Sequence, residues 1–390
     1  MPKDEKLHIL FLSSWYPNQE APLDGNFVLK HAEAVAHFAR VSFLHVSSLP
    51  LTNKVELDLQ ATIHFYESQV LPRKGLRKIF LVLQKLWRYS QLYRQVCREQ
   101  GKPDVIHANV AYPSGLYALF FKLFTRSPYL ITEHWTGYLP EKNTPLRPFQ
   151  KTMTKWVLRK ASFICPVSGY LARSMRNQDL NGCYQVVPNV VDTDLYLPKH
   201  KEDYPGKLHL IHISTLNNRQ KNSEGLFRAI ATLQNEGVDF ELLVVTCNSD
   251  GYWQKKLKGT PLEDVVSFRY ALKPKEVALA LHQSDVLLLF SNYETFGVVI
   301  AEAFAAGIPV ISTASGPAKE LIAPERGILI PIGDEKALVK AIKAFPSQKT
   351  RFQADKIQTY AREHFSFRAV GQQYMDLYSQ MLKPIPCSKK

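Results

Sequence analysis

Two glutamates eight residues apart mark the most chemically suggestive stretch of this chain, Ser291–Ile322, which reads SNYETFGVVIAEAFAAGIPVISTASGPAKELI. It begins where a buried apolar run, Asp285–Phe290, ends, and continues as a loop and then a helix opening near Gly297. Glycine at that point allows a ligand to approach the backbone closely. The first amides of the helix lack intrahelical acceptors and sit at the positive end of its dipole, so the position is suited to an anion. Glu302 stands inside an otherwise apolar segment, AEAFAAG, where an unpartnered carboxylate is costly. It needs a donor, and sugar or ribose hydroxyls would supply one. Glu294, in the loop ahead of the helix, is placed to touch whatever occupies the anion site. A solvated helix face with an unrelated loop carboxylate is the plainer reading. Phe296-Gly297 between the two acids, and Ala-Ala-Gly-x-Pro-Val after them, argue against it.

These residues need a scaffold, and the chain alternates short apolar runs with helical stretches. Strands are expected at Leu7–Ser13, Val41–Ser47, Asp104–His107, Tyr129–His134, Phe163–Val167 and Tyr184–Val187. A second series follows at Leu208–Ser214, Phe240–Thr246, Val265–Tyr270, Val286–Phe290 and Val310–Thr313. Runs apolar throughout suit strands buried on both faces, and strand alternating with helix implies parallel sheets with right-handed crossovers. The expected fold is α/β, two doubly wound Rossmann-like domains. Residues 1–190 form the first and 207–364 the second, with a polar, Pro-containing linker over 191–206 and a closing helical segment over 365–390. Ligands of such sheets bind beyond the carboxyl ends of the strands, here in a cleft between the two domains.

Global numbers narrow the class. A chain of 390 residues, 45% hydrophobic and 22% charged, is globular and long enough for two domains. Five scattered cysteines without a C-x-x-C pair argue against a disulfide framework or a zinc site and fit a reducing cytoplasm. No apolar run reaches the length of a membrane span. The net charge of +14 points to anionic partners without choosing among nucleic acid, a membrane face and phosphorylated small molecules.

The ordered set of motifs resembles the retaining glycosyltransferases of family 4, which have the GT-B fold. Glu294-x7-Glu302 with Phe296-Gly297 inside it and Ala306-Gly307-Ile308-Pro309-Val310 after it is similar to that family's donor signature. Val187-Pro188-Asn189-Val190-Val191-Asp192 is similar to its linker, and Ser315-Gly316 through Glu320 to its second glycine turn. Gly25-Asn26-Phe27-Val28, Asp104–His107, Thr132-Glu133-His134 and Pro166-Val167-Ser168 resemble acceptor-domain landmarks. Phe365–Leu382 resembles the C-terminal helix that crosses back to the first domain.

The resemblance implies roles. Glu302 would bind ribose hydroxyls; Glu294 with the backbone of Phe296, Gly297 and Val298 would hold the sugar and its β-phosphate. Lys221 would neutralise the diphosphate, Gly25 would bring an amide to it, and His134 would lie near sugar and acceptor. The base, of a UDP- or GDP-sugar, would rest against Phe268–Ala271, including Tyr270. The family usually sets Gly-Arg ahead of its lysine, whereas Ser214-Thr215 stand here, so Arg219 becomes a second candidate for the phosphate charge. The resemblance further implies a site working without metal or cofactor. Retention would proceed by same-face attack on the anomeric carbon, in bacterial surface polysaccharide assembly.

Other readings compete. A nucleotide-sugar epimerase or a phosphorylase could use the same architecture, although no lysine is marked for pyridoxal phosphate. Nucleic-acid binding would want bases and aromatics interleaved on one platform, and is not expected. Trp15, Tyr16 and Asn18 follow the first strand on the acceptor side, and His107 ends another. The densest basic cluster is residues 73–102, nine Lys and Arg against Glu99 alone. There Leu76, Ile79, Phe80, Leu83 and Trp87 form one apolar stripe with Arg77, Lys78, Lys85 and Arg88 opposite. The stripe either packs on the core or brings the enzyme to an anionic membrane, at the inner face of the cytoplasmic membrane, where a lipid-linked or glycan acceptor would be met.

Overall fold

The computed structural model describes residues 6–15, 25–47, 59–70, 78–142, 146–196, 206–248 and 251–383. Tyr16, Asn18, Leu76, Arg77, the later part of the expected linker and the last residues of the chain lie outside these. The chain divides into two compact units, Met1–Val190 with Phe367–Lys390, and Val191–Ser366.

The first unit is built on six parallel strands: β1 (His8–Ser13), β2 (Arg40–Ser47), β3 (Ile63–Gln69), β4 (Val105–Asn109), β5 (Tyr129–Glu133) and β6 (Phe163–Pro166). Their order is β3-β2-β1-β4-β5-β6. The helices are α1 (Asn26–Ala36), α2 (Lys78–Gln100), α3 (Ser114–Thr125), α4 (Pro148–Lys160) and α5 (Gly169–Arg176). β1 (HILFLS) is buried along its whole length because helices cover both faces of the sheet. The crossover from β1 to β2 runs one way along the sheet and those from β3 to β6 the other, so right-handedness puts α1 on one face and α2, α3 and α4 on the opposite face. Ring contacts Tyr89–Tyr117 and Tyr93–Phe121 join α2 to α3. The C-terminal helix, Phe367–Leu382, packs on α1. Gly371 permits the approach, since a Cβ there would stand 2.3 Å from the Ala34 carbonyl oxygen.

The second unit has β7 (Leu208–Ile213), β8 (Phe240–Thr246), β9 (Val266–Tyr270), β10 (Val286–Leu289), β11 (Val310–Thr313) and β12 (Gly327–Ile330), parallel in the order β12-β11-β10-β7-β8-β9. Its helices are α6 (Asn218–Lys221), α7 (Ser223–Asn235), α8 (Tyr252–Leu257), α9 (Pro274–His282), α10 (Val298–Ala305), α11 (Ala318–Leu321), α12 (Glu335–Gln348) and α13 (Ala354–Phe365). Strand order reverses between β7 and β10, and between β1 and β4 in the first unit. At such a reversal the helices leaving adjacent strands go to opposite faces, which opens a crevice at the strands' carboxyl ends.

One expected strand is absent. Tyr184–Val187 joins the sheet through a single bridge, Tyr184 to Ile164. Gln185 and Val187 donate to Ile164 and Pro166, but Pro166 has no N–H to return the next bond, so no ladder propagates. β3 and β12 were not expected: the first is half polar, and the second is four residues long between Arg326 and Pro331.

Candidate active site

The second unit gathers most of the expected donor-site residues at its switch point. Lys221 ends α6 and Glu294 lies in the loop after β10, 73 residues later. The lysine ammonium donates to Glu294 Oε1 at 2.5 Å, with side chains only 13% and 8% exposed. The two turns are tied by backbone as well: Asn292 N donates to the Gln220 carbonyl at 2.8 Å, and Asn292 Nδ2 to the Arg219 carbonyl at 3.0 Å. The Arg219 side chain itself is exposed. Gly297, at φ 85°, caps α10 in the left-handed region, a conformation that favours glycine. Its carbonyl accepts from Ile300, and the amides of Val298 and Val299 precede the first intrahelical bond. Phe296 is buried with its ring edge-on to Phe365, which anchors the loop before that cap.

Glu302 does find a donor within the protein. The buried hydroxyl of Tyr196 lies against it, and burial together with the neighbouring carboxylate pushes that phenol well above its usual range. Tyr270 ends β9 and bonds Gln254 Oε1 at 3.1 Å. With Phe268, Leu216, Asn248, Gly251, Tyr252 and Trp253 it lines a shallow depression beyond β7, β8 and β9, apart from the Lys221–Glu294 pair.

Thr215, at the place of the resembled family's arginine, is exposed, and Ser214, at the place of its glycine, is held by His212 and the Leu216 amide. His212, held neutral by burial with its pKa pushed down to about 4, bonds the Leu288 carbonyl through Nδ1 at 2.9 Å and Ser214 Oγ through Nε2 at 2.7 Å. A carbonyl only accepts, so Nδ1 carries the proton and Nε2 accepts from the serine. Ser214 Oγ in turn accepts from Leu216 N at 3.0 Å, holding Leu216 at φ 55°. This leaves Lys221 and the helix amides as the fixed positive groups at the switch point.

The first unit places Gly25 and His134 at the carboxyl edge of its own sheet. Gly25, at φ 74°, caps α1 and accepts from Val28 and Leu29. Phe27, two residues on, packs its ring 4.4 Å from that of His134. His134 is 7% exposed, the Asn189 side chain lies beside it, and no well-formed hydrogen bond reaches either ring nitrogen. Burial first, then His31 and His107, keep its pKa well below the usual value, so it is neutral at neutral pH. Below it runs a bonded chain. His31 stacks on His134, His107 bonds Tyr378 Oη and Thr132 Oγ1 at 2.7 Å each, and Thr132 bonds Tyr374 Oη at 2.8 Å.

Several contributors were missed from sequence. Glu133, fully buried, accepts from the amides of Ala111, His134 and Trp135 at 2.9–3.0 Å and so fixes the loops after β4 and β5 together. Its neighbour Val110 sits at φ 64°, strained for a β-branched residue. Tyr196, Tyr374 and Tyr378 carried no signal, because each acts across more than a hundred residues of chain. The hydroxyls of Ser291 and Ser315, buried at the ends of β10 and β11, have no protein partner. The chain does carry one Asp-x-Asp run of the kind that can hold a metal, Asp192-Thr193-Asp194. There Asp192 accepts from Leu195 N at 3.2 Å, and among the described residues no group of three His, Cys, Asp or Glu is placed to hold a metal.

Two doubly wound parallel units, with a lysine, a glycine-capped helix and a helix-borne glutamate at the switch point of the second, define the GT-B class. The model of glycosyltransferase family 4 matches residues 40–195, and that of the glycosyl transferases group 1 matches 198–364. The chain belongs to the family 4 glycosyltransferases and is a glycosyltransferase. It is 26% identical over 298 residues to N-acetyl-alpha-D-glucosaminyl L-malate synthase of Bacillus anthracis, covering 72% of this chain and 75% of the relative. Sucrose-phosphate synthase from Thermosynechococcus elongatus shares the fold with a TM-score of 0.77 at 21% identity, over 96% of this chain and 99% of that one. Anabaena HepE, solved in complex with UDP and glucose, does so with a TM-score of 0.69 at 18% identity, over 96% and 100%.

Proposed function

We propose that this enzyme transfers a sugar from a UDP- or GDP-sugar to a hydroxyl of a glycan or lipid-linked acceptor, with retention at the anomeric carbon and without a metal. The observation that carries the reading is the buried Lys221–Glu294 pair beside the glycine-capped start of α10. Cleaving the bond from the anomeric carbon to the diphosphate puts negative charge on the leaving group and positive charge on the sugar ring. The Lys221 ammonium and the amides following Gly297 are fixed donors for the first, and the Glu294 carboxylate is a fixed acceptor for sugar hydroxyls. Glu302, oriented by Tyr196, would take the ribose hydroxyls, and Tyr270 and Phe268 would flank the base. In the first unit, Gly25 would offer an amide to phosphate. His134, neutral and with both ring nitrogens uncommitted, would hydrogen-bond an acceptor or sugar hydroxyl. The departing phosphate oxygen would receive the acceptor proton, so no enzymic nucleophile is required. The ligands of Anabaena HepE support a nucleotide-sugar donor, and the family supports a setting in bacterial surface polysaccharide or glycolipid assembly.

The test is turnover with a panel of UDP- and GDP-sugars in the presence of chelator, with the product anomer read by NMR. Transfer with the donor's own anomeric configuration is expected, together with a large loss in Glu294→Gln. Inverted product, or activity that vanishes with chelator and returns with a divalent cation, would overturn the corresponding part.

A further inference from the structure

The layer of α2, α3 and α4 carries an outward face that the sheet does not use. α2 spans 23 residues, about 35 Å, against about 17 Å for the five-residue strand β4 that follows it. Its later turns find a partner: Tyr89, Leu92, Tyr93 and Val96 are buried. Val82, Leu83 and Trp87 are instead 51%, 55% and 55% exposed, so Leu83 and Trp87, the members of the apolar stripe with described side chains, face water. Arg94 and Arg98, seven and eleven residues after Trp87, continue the helical face of Leu83 and Trp87 and are exposed, whereas Val82 precedes buried Tyr89 by seven residues, on the line facing the sheet. α4 repeats the pattern with Phe149 and Trp156 exposed at 68% and 46% and Arg159 and Lys160 beside them; Leu123 and Phe124 emerge from α3. Of the fourteen exposed large apolar side chains among the described residues, seven lie on these three helices. Their single acid is Glu99, engaged by Tyr66 and Gln95; the nearby Asp179 faces Lys151 and Lys155.

We propose that this face docks on an anionic lipid surface, with Leu83 and Trp87 entering the headgroup region and Arg94 and Arg98 against lipid phosphates. Apolar and aromatic side chains beside cations on one helical face match a surface that is apolar within and negative at its rim. A second copy of the chain is disfavoured as the occupant, because a two-fold contact would oppose basic faces. Among the described residues no helix is long and apolar enough to cross a membrane, so the contact would lie in the interface plane.

The test is co-sedimentation of the whole chain with vesicles of phosphatidylglycerol and phosphatidylcholine, against phosphatidylcholine alone. Binding to the anionic vesicles at low salt is expected, lost near ~1 M salt, where screening acts within about 3 Å. Arg94→Gln with Arg98→Gln should weaken it roughly tenfold or more, each charge being worth about fivefold. Leu83→Ser with Trp87→Ser should abolish it while circular dichroism and nucleotide binding stay unchanged. A blue shift of fluorescence on adding vesicles should disappear in Trp87→Phe. Equal binding to neutral vesicles, no binding at low salt, or binding indifferent to both sets of changes would overturn the proposal. So would a self-association, or capture of single-stranded oligonucleotide without vesicle binding, that the serine variant removes. Vesicle binding requires neither donor nor acceptor, so its failure leaves the proposed sugar transfer untouched.

Discussion

Replacing Lys221 by methionine keeps the length of the side chain and removes its charge. Glu294 would then be left 8% exposed with no ammonium 2.5 Å away. Breaking a fully buried ion pair from one side costs about 3–5 kcal/mol. The small remaining exposure of both groups lowers that to about 2–3 kcal/mol. Glu294→Gln, which strands the lysine, should cost a similar amount. The double variant, in which neither charge is stranded, should cost about 1 kcal/mol, giving a coupling of about 3–5 kcal/mol in a double-mutant cycle. Urea unfolding followed by tryptophan fluorescence reports on the second unit through the buried Trp253. Singles that add to the double within about 0.5 kcal/mol would refute the reasoning, because independent effects behave that way. The same substitution tests the site. A charge-assisted hydrogen bond is worth about 1.5–3 kcal/mol, so Lys221→Met should weaken nucleoside diphosphate binding by at least about tenfold in calorimetry.

Glu302→Ala should weaken nucleoside diphosphate binding while leaving inorganic pyrophosphate binding intact. Tyr196→Phe should do so by a smaller factor, because Glu302 keeps its charge and loses only its orientation; equal losses for both ligands would remove Glu302 from the ribose role. Gly371→Val should lower the melting temperature and loosen the C-terminal helix from α1, seen as faster proteolysis near the chain end, since its Cβ would meet the Ala34 carbonyl oxygen at 2.3 Å. Wild-type stability should fall on acidification from pH 6.5. His31 is pushed down to about 4 by burial, so between about 6.5 and 4 the unfolded chain binds a proton that the folded chain refuses. That costs about 1.4 kcal/mol per pH unit and about 3 kcal/mol in all, and His107 and His134 act in the same direction. A melting temperature that is flat between pH 7.5 and 5 would contradict this.

The strands HILFLS and VLLL and the helix opening at Gly297 were legible because their patterns answer to local constraints, burial on both faces and a positive φ. The pairing of Lys221 with Glu294 was not. Both residues were singled out, but nothing in their spacing says that the ends of β7 and β10 are adjacent. Glu133 was quoted only as part of a strand end, since a carboxylate that accepts three amides looks in sequence like any other acid. The stripe on α2 is legible as a stripe, but the choice between core and surface is not, because which turns meet the sheet depends on strand length and helix length together. Tyr184–Val187 has strand composition, but Pro166 on its neighbour withholds the bond that the ladder needs.

A crystal structure of the enzyme with UDP or GDP bound tests the central claim most directly. A phosphate oxygen is expected within hydrogen-bonding distance of the amides that follow Gly297 and of the Lys221 ammonium, with the ribose at Glu302. A diphosphate bound away from the start of α10, with Lys221 and Glu294 still paired only to each other, would contradict it.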